Sequence, residues 1–268
     1  QSSVSALTDT PDTPETKQYL DYIASLIQQG FKDNILYSLD ALMKDLSVKN
    51  SDNPNPLHVV VPLITTKLEL VGNSVLFSPP LLEGPNNLYS TFEEWCQRSL
   101  DLTKLIDVFY EGQSPIYDNI SQDEEIKSTV GQILEAVSTM SKECISYKDE
   151  NFSKYSNVWT QSRETFINEF LQTGGGMSEP DKVTGEQVPL KPTLDDFGEQ
   201  IGSYRKSQND IRLIQDSHSF GWLRVDCRPL KQSLDLNLGK WVYLFTHYLN
   251  NDMLNQLKDF KQFLHDAH

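Results

Sequence analysis

Ile126, Val130, Ile133, Val137, Met140, Cys144 and Tyr147 follow one another in strict 4-3-4-3-4-3 steps. A stripe repeating every 3.5 residues keeps facing the same neighbour only if the helix packs in a left-handed, coiled-coil-like manner. The pattern therefore predicts a long α-helix with one committed face. Ser121 stands at the expected N-cap, and Asp123, Glu124 and Glu125 fill the first turn, where the helix dipole favours anions. After a one-residue slip, Phe152, Tyr155, Trp159, Phe166 and Phe170 continue the stripe. Unbroken to Leu171, this helix would be about 75 Å long at 1.5 Å per residue.

Other segments share the helical period. Thr13-Pro14-Glu15 reads as a helix start, with Tyr19, Tyr22, Ile23, Leu26 and Ile27 on one face. Ile35, Leu39, Leu42, Met43 and Leu46 resume that face beyond Gly30, so one long or kinked helix is expected to about Ser47, ending by 50–56. A second helix is predicted from Asn87 to Tyr110, lined by Leu88, Phe92, Trp95, Leu102, Leu105, Ile106 and Phe109. Pro192-Thr193-Leu194-Asp195-Asp196 opens another, with Phe197, Ile201, Tyr204, Ile211 and Ile214 inward. Pro229 opens the last, which carries Leu234, Leu238, Trp241, Phe245, Leu249, Met253, Leu257, Phe260 and Leu264 to the end of the chain. Only 63–78 changes period: two β-branched-rich runs flank Gly72-Asn73, a hairpin signal, with Ile64, Leu68 and Leu70 on one face. Residues 217–226 read as an extended connector.

The fold class that follows is mainly α: an elongated bundle of long helices with coiled-coil-like packing and one small β-hairpin. Residues 1–12 read as a disordered linker, 13–172 as a first helical bundle, 173–192 as a flexible Gly/Pro loop and 193–268 as a second helical segment. The chain does not begin with Met, so it is expected to be a piece of a longer one that continues past residue 268.

A net charge of −15 argues against nucleic acid, which needs clustered Lys and Arg, and against adsorption to an anionic membrane. No apolar run approaches the ~20 residues that span a bilayer. Cys96, Cys144 and Cys227 are far apart, with no C-x-x-C pair, which disfavours a disulfide framework or a Cys-type zinc site. The expected compartment is cytoplasmic. Gly174-Gly175-Gly176 lacks the Lys and hydroxyl of a phosphate loop and follows a helix rather than a strand. The histidines are isolated except for His265 and His268 near the end, and no Gly-x-Ser-x-Gly elbow occurs. No catalytic residue, cofactor site or metal site is expected. What remains are large rings among charged neighbours: Trp159, Trp222 and Trp241, with Arg224 and Tyr248, are candidate interface or packing anchors.

The strip from Phe220 to Leu249 resembles the end of the dynein heavy-chain tail, in the axonemal branch of that family. The resemblance rests on Gly221-Trp222-Leu223-Arg224-Val225-Asp226, then Pro229-Leu230-Lys231, Lys240-Trp241 and Phe245-Thr246-His247-Tyr248-Leu249. Upstream, Phe152 to Leu171, Pro192 to Phe197 and the Leu63–Ser78 hairpin ending in Phe-Ser-Pro are similar in order. The resemblance implies a non-catalytic tail segment just before the linker of a microtubule motor. ATP hydrolysis and microtubule binding would belong to distant parts of the parent chain. Such a segment would transmit force and anchor the motor in a cilium or flagellum. Its partners would be other heavy chains, intermediate and light chains and axonemal docking proteins, with no nucleic acid and no membrane. A spectrin-like scaffold or adaptor outside any motor is the rival expectation, and a nucleotide-dependent regulator using the glycine run is a second.

Overall fold

The computed structural model describes residues 13–47, 62–104, 116–180 and 185–266. The expected 1–12 linker, the end of the first helix at 50–56, residues 105–110 of the predicted second helix, and His268 lie outside these. The elements in chain order are α1 (Pro14–Leu46), β1 (Ile64–Val71), β2 (Ser74–Ser78), α2 (Leu88–Asp101), α3 (Ile116–Ser121), α4 (Glu124–Phe152), α5 (Asn157–Thr160), α6 (Arg163–Thr173), α7 (Leu194–Leu213), β3 (Ser217–Phe220), β4 (Leu223–Asp226) and α8 (Arg228–Asp266). The protein is mainly helical, and it divides into two compact units.

The first unit holds residues 1–64, 79–143 and 220–223. Thr13 caps α1 by accepting from the Thr16 N–H at 3.3 Å, and the helix runs through Gly30 without a break. Ile35, Leu39 and Leu46 are buried, whereas Tyr19, Tyr22 and Leu26 nearer its start are exposed. Asn87 caps α2 in the same way, accepting from the Ser90 N–H at 2.8 Å, and Leu88, Phe92, Cys96 and Leu100 form its buried face. The heptad stripe enters the core here through Ile126, Ile133 and Val137. Asp123, not Ser121, caps α4: its Oδ1 accepts from the Glu125 and Ile126 N–H groups at 3.0 and 3.3 Å. Ser121 instead donates to the Asp118 carbonyl in the short α3. Lys32 of α1 bridges Asp123 and Glu125 at 2.8 and 3.0 Å, tying α1 to the start of α4.

The second unit holds residues 65–78, 144–219 and 224–268. The helix expected to run unbroken to Leu171 ends at Phe152. A 3₁₀ turn at Ser153–Tyr155 follows, then α5, then α6 capped by Ser162. Tyr155 in that turn and Val158 in α5 are both buried. A capping box starts α7, with the Thr193 N–H donating to Asp196 Oδ2 at 2.7 Å and the Asp196 N–H to Thr193 Oγ1 at 3.3 Å. Helices α7 and α8 pack along one another. On α8, Leu230, Leu234, Leu238, Trp241 and Phe245 are buried, but Met253, Leu257, Phe260 and Leu264 at its far end are exposed. Within the Gly/Pro stretch the two described legs pair: Leu190 N–H donates to the Gly176 carbonyl and Ser178 N–H to the Val188 carbonyl, both at 2.9 Å.

The expectation of a single hairpin is corrected by a four-stranded sheet in the order β2-β1-β4-β3. β1 and β2 pair antiparallel around Gly72-Asn73, with Gly72 at φ +59° supplying the left-handed first position of a II′-like turn. Residues 217–226, expected to be a plain connector, form β3 and β4 around Gly221-Trp222 by the same device, with Gly221 at φ +63°. An isolated hairpin is marginal in water. Pairing β1 with β4 gives each hairpin a neighbour, and Thr66, Leu68, Leu223 and Val225 on these two strands are buried.

Candidate functional site

Several residues between Gly221 and Phe245 hold neighbouring elements together. Gly221 makes the β3–β4 turn. Trp222, 1% exposed, then packs edge-on to Phe92, with ring centroids 5.5 Å apart. Among the described residues its Nε1–H has no hydrogen-bond partner. Asp226 is buried and receives three bonds from Arg228: the backbone N–H at 3.0 Å, Nε at 2.9 Å and Nη2 at 2.7 Å. These bonds to the Arg228 guanidinium and N–H hold the Asp226 carboxyl below the usual carboxylate range. Lys231 reaches back to the end of α7. Its Nζ donates to the Arg212 carbonyl at 3.3 Å, to the Ile214 carbonyl, and to Asp216 Oδ1 at 2.6 Å. A lysine ammonium on the carbonyl end of a helix satisfies orphan acceptors and complements the negative end of the dipole.

Deeper in the second unit lies an aromatic cluster. The Trp241 indole donates from Nε1 to the Val158 carbonyl at 3.0 Å, stacks on Tyr204 at 5.4 Å and meets Phe166 edge-on at 5.6 Å. The Arg163 guanidinium stands 5.9 Å from the same indole and donates to Asn237 Oδ1 at 2.8 Å. Phe245 meets Phe170 edge-on at 5.0 Å, and Phe170 meets Phe197 at the same distance. One cluster thus joins α5, α6, α7 and α8. Such ring pairs stabilise by roughly 0.5–1.5 kcal/mol each beyond their area burial.

The five anchor candidates occupy unlike positions. Trp222 and Trp241 are core residues. Arg224 is half-buried, with its Nε 3.4 Å from Ser219 Oγ. Trp159 is half-buried beside a groove of about 410 Å³ that also touches Val75, Leu76 and Phe152. Tyr248 is half-buried and lines, with Arg163, Lys240 and Tyr243, a second groove of about 460 Å³. The spacing of the aromatics carried no sign of either groove, because each is made by elements distant in the chain.

Burial pushes the Cys227 thiol up to about 11 and raises Cys96, so both are protonated near neutrality and are poor nucleophiles. Burial likewise pushes the Tyr147 and Tyr204 phenols up to about 12. Among the described residues no three His, Cys, Asp or Glu side chains converge in a metal-binding group. Among the described helices none is long and apolar enough to cross a membrane.

No protein-family model matches the chain. Over 92% of its length it is 30% identical to dynein axonemal heavy chain 17 of Mus musculus and 28% identical to that of Homo sapiens. Over the same share it is 26% identical to the dynein beta chain, flagellar outer arm, of Chlamydomonas reinhardtii. The chain is homologous to a segment of the axonemal dynein heavy chains. It spans 5–6% of the length of these curated relatives. Of the residues on which the dynein resemblance rests, Gly221 makes the β3–β4 turn, Lys231 caps the end of α7, and Trp241 and Phe245 enter the aromatic cluster.

Proposed function

We propose that this chain is a non-catalytic segment of the tail of an axonemal dynein heavy chain, lying just before the linker. It transmits force and holds the motor in its assembly with other heavy chains, intermediate and light chains and docking proteins of a cilium or flagellum. The observation that carries the reading is the similarity to axonemal dynein heavy chains along 92% of the chain. The side-chain arrangement supports it: aromatic packing across four helices, a lysine-capped helix end and a tightly held Asp226–Arg228 pair favour stiffness over ligand exchange.

The test is Trp241→Ala in the full-length heavy chain of a ciliated cell. Loss of the corresponding dynein arm from isolated axonemes, with ATP turnover by the remaining motor unchanged per molecule, is the expected result. Normal arm occupancy and normal beating would reject a load-bearing role. Nucleotide turnover by the isolated 268-residue segment would reject the non-catalytic reading outright.

A further inference from the structure

We propose that the groove between α6 and α8 is a docking site for a segment of a partner protein that is acidic at one end and apolar at the other. The inference rests on the chemistry of this groove in the second unit and stands independently of the motor reading.

Contacts between the two helices set the polarity of the groove. Arg163 bonds to Asn237, Phe166 meets both Trp241 and Phe245, and Phe170 meets Phe245, so α6 and α8 run in the same direction here. The groove of about 460 Å³ therefore begins at Arg163 and Lys240 and ends at Leu244 and Tyr248. Lys240 and Tyr248 are roughly 12 Å apart along α8 at 1.5 Å per residue.

The first end is cationic, and its charge is not cancelled within the fold. Among the described residues neither Arg163 nor Lys240 is ion-paired. Arg163 donates from Nη2 to the neutral Asn237, and its buried Nε finds no acceptor. Lys240 is exposed. Asp235, the carboxylate closest to Lys240 in the α8 sequence, is held by Arg212 of α7 at 3.0 Å. Glu164 shares the groove wall, is exposed and pairs with neither cation, which leaves two positive charges against one negative. A guanidinium with free N–H groups suits a carboxylate. The net charge of −15 belongs to the whole chain, and at physiological salt its distant charges are screened beyond about 8 Å, so the cations at the contact decide.

The second end is apolar and aromatic. Ile167 is buried, Leu244 and Tyr248 are half-buried, and Tyr243 is 71% exposed. The Tyr243 ring is nonetheless held in place by stacking on His247 at 6.1 Å. A ring already ordered loses little freedom when a partner covers it, and Tyr and Arg are the residues that most often anchor interfaces. A free phosphate or carboxylate would leave this end empty. A peptide with an apolar side chain beyond its acids fills both.

The test titrates the 268-residue chain into a fluorescein-labelled peptide with three Glu at one end and Leu and Phe at the other. Binding is expected at about 10–100 μM, weakened at least fivefold when the Glu residues become Gln or the apolar pair becomes Ser. Lys240 and Tyr243 are exposed, so their variants should fold, with melting curves as the check. Lys240→Glu should weaken binding about fivefold, the scale of one exposed ion pair, and Tyr243→Ser by at least as much. Glu164→Gln should act in the opposite direction and tighten it about twofold, because it removes the one repelling charge. No binding below about 1 mM, equal affinity for a peptide with Lys in place of Glu, or weaker binding in Glu164→Gln would each overturn the proposal. So would displacement of the peptide by inorganic phosphate alone, or a dimer of this chain in sedimentation that Tyr243→Ser abolishes.

Discussion

Trp241 lies stacked on Tyr204, with ring planes 16° apart, and its indole N–H is bonded to the Val158 carbonyl of α5. One residue of α8 thereby fixes both α7 and α5. Truncation removes the stacking, the hydrogen bond and the filler of a closely packed space. Trp241→Ala is expected to lower unfolding free energy by about 3–5 kcal/mol in reversible urea denaturation. A loss below about 1 kcal/mol would mean the cluster repacks without it.

The two buried indoles differ in one respect that mutation can read. Trp241 has a partner for its N–H, and among the described residues Trp222 has none. Both Ala variants should lose about 3–5 kcal/mol. In Trp241→Phe the Val158 carbonyl is left unpaired, at about 1–3 kcal/mol beyond the lost volume. Trp222→Phe loses volume alone and removes an unpaired donor, so it should be the milder change. Equal losses in the two Phe variants would contradict this assignment of partners.

The contrast marks what the sequence could and could not disclose. The long helices were readable because each repeats a local period, and Thr13, Asn87 and Thr193 stand at helix starts that need a side-chain acceptor, whereas the short α3 and the breaks that set α5 and α6 apart from α4 were not. The first hairpin was readable from Gly72-Asn73. Gly221-Trp222 carries the same kind of signal, but only four residues flank it on each side, too few to show alternation. The β1–β4 pairing, Lys231 at the end of α7 and the groove at Trp159 all join residues far apart in sequence. No local period encodes them. Whether a tryptophan lies in the core or at a surface is decided by such contacts, which is why Trp159 and Trp241 looked alike in the sequence and differ in the fold.

Acid sensitivity follows from Asp226. Its carboxyl titrates lower in the folded protein than the unfolded value of about 4, so its contribution is complete above that pH and fades as pH falls through the folded value. Asp226→Asn should lower stability at pH 7 and flatten the dependence on pH below about 4. Asp101, Asp123 and Asp196 are also held low, by Lys104, Lys32 and the Thr193 N–H, so some slope remains. Chemical denaturation at a series of pH values measures it. An acid limb as steep in Asp226→Asn as in the parent would show that the Arg228 contact adds no linkage.

Two glycines give opposite expectations from the same substitution. At Gly175 the N–H donates to the Leu190 carbonyl, and a Cβ there would sit 2.2 Å from the Lys191 carbonyl oxygen and 2.8 Å from its carbon. Backbone cannot step aside as a side-chain tip can. Gly175→Ala should therefore force the two legs of the 173–192 turn apart and lower stability by about 1–3 kcal/mol. At Gly202, inside α7 and exposed, an added Cβ meets nothing within 4 Å. Gly202→Ala should raise stability by about 0.5–1 kcal/mol, because alanine loses less backbone freedom on entering a helix. Thermal and urea unfolding of the two variants side by side reads both signs. A neutral Gly175→Ala would mean that the turn is not held against Leu190 and Lys191 in solution, and a destabilised Gly202→Ala would mean that the exposed face of α7 is covered by something else.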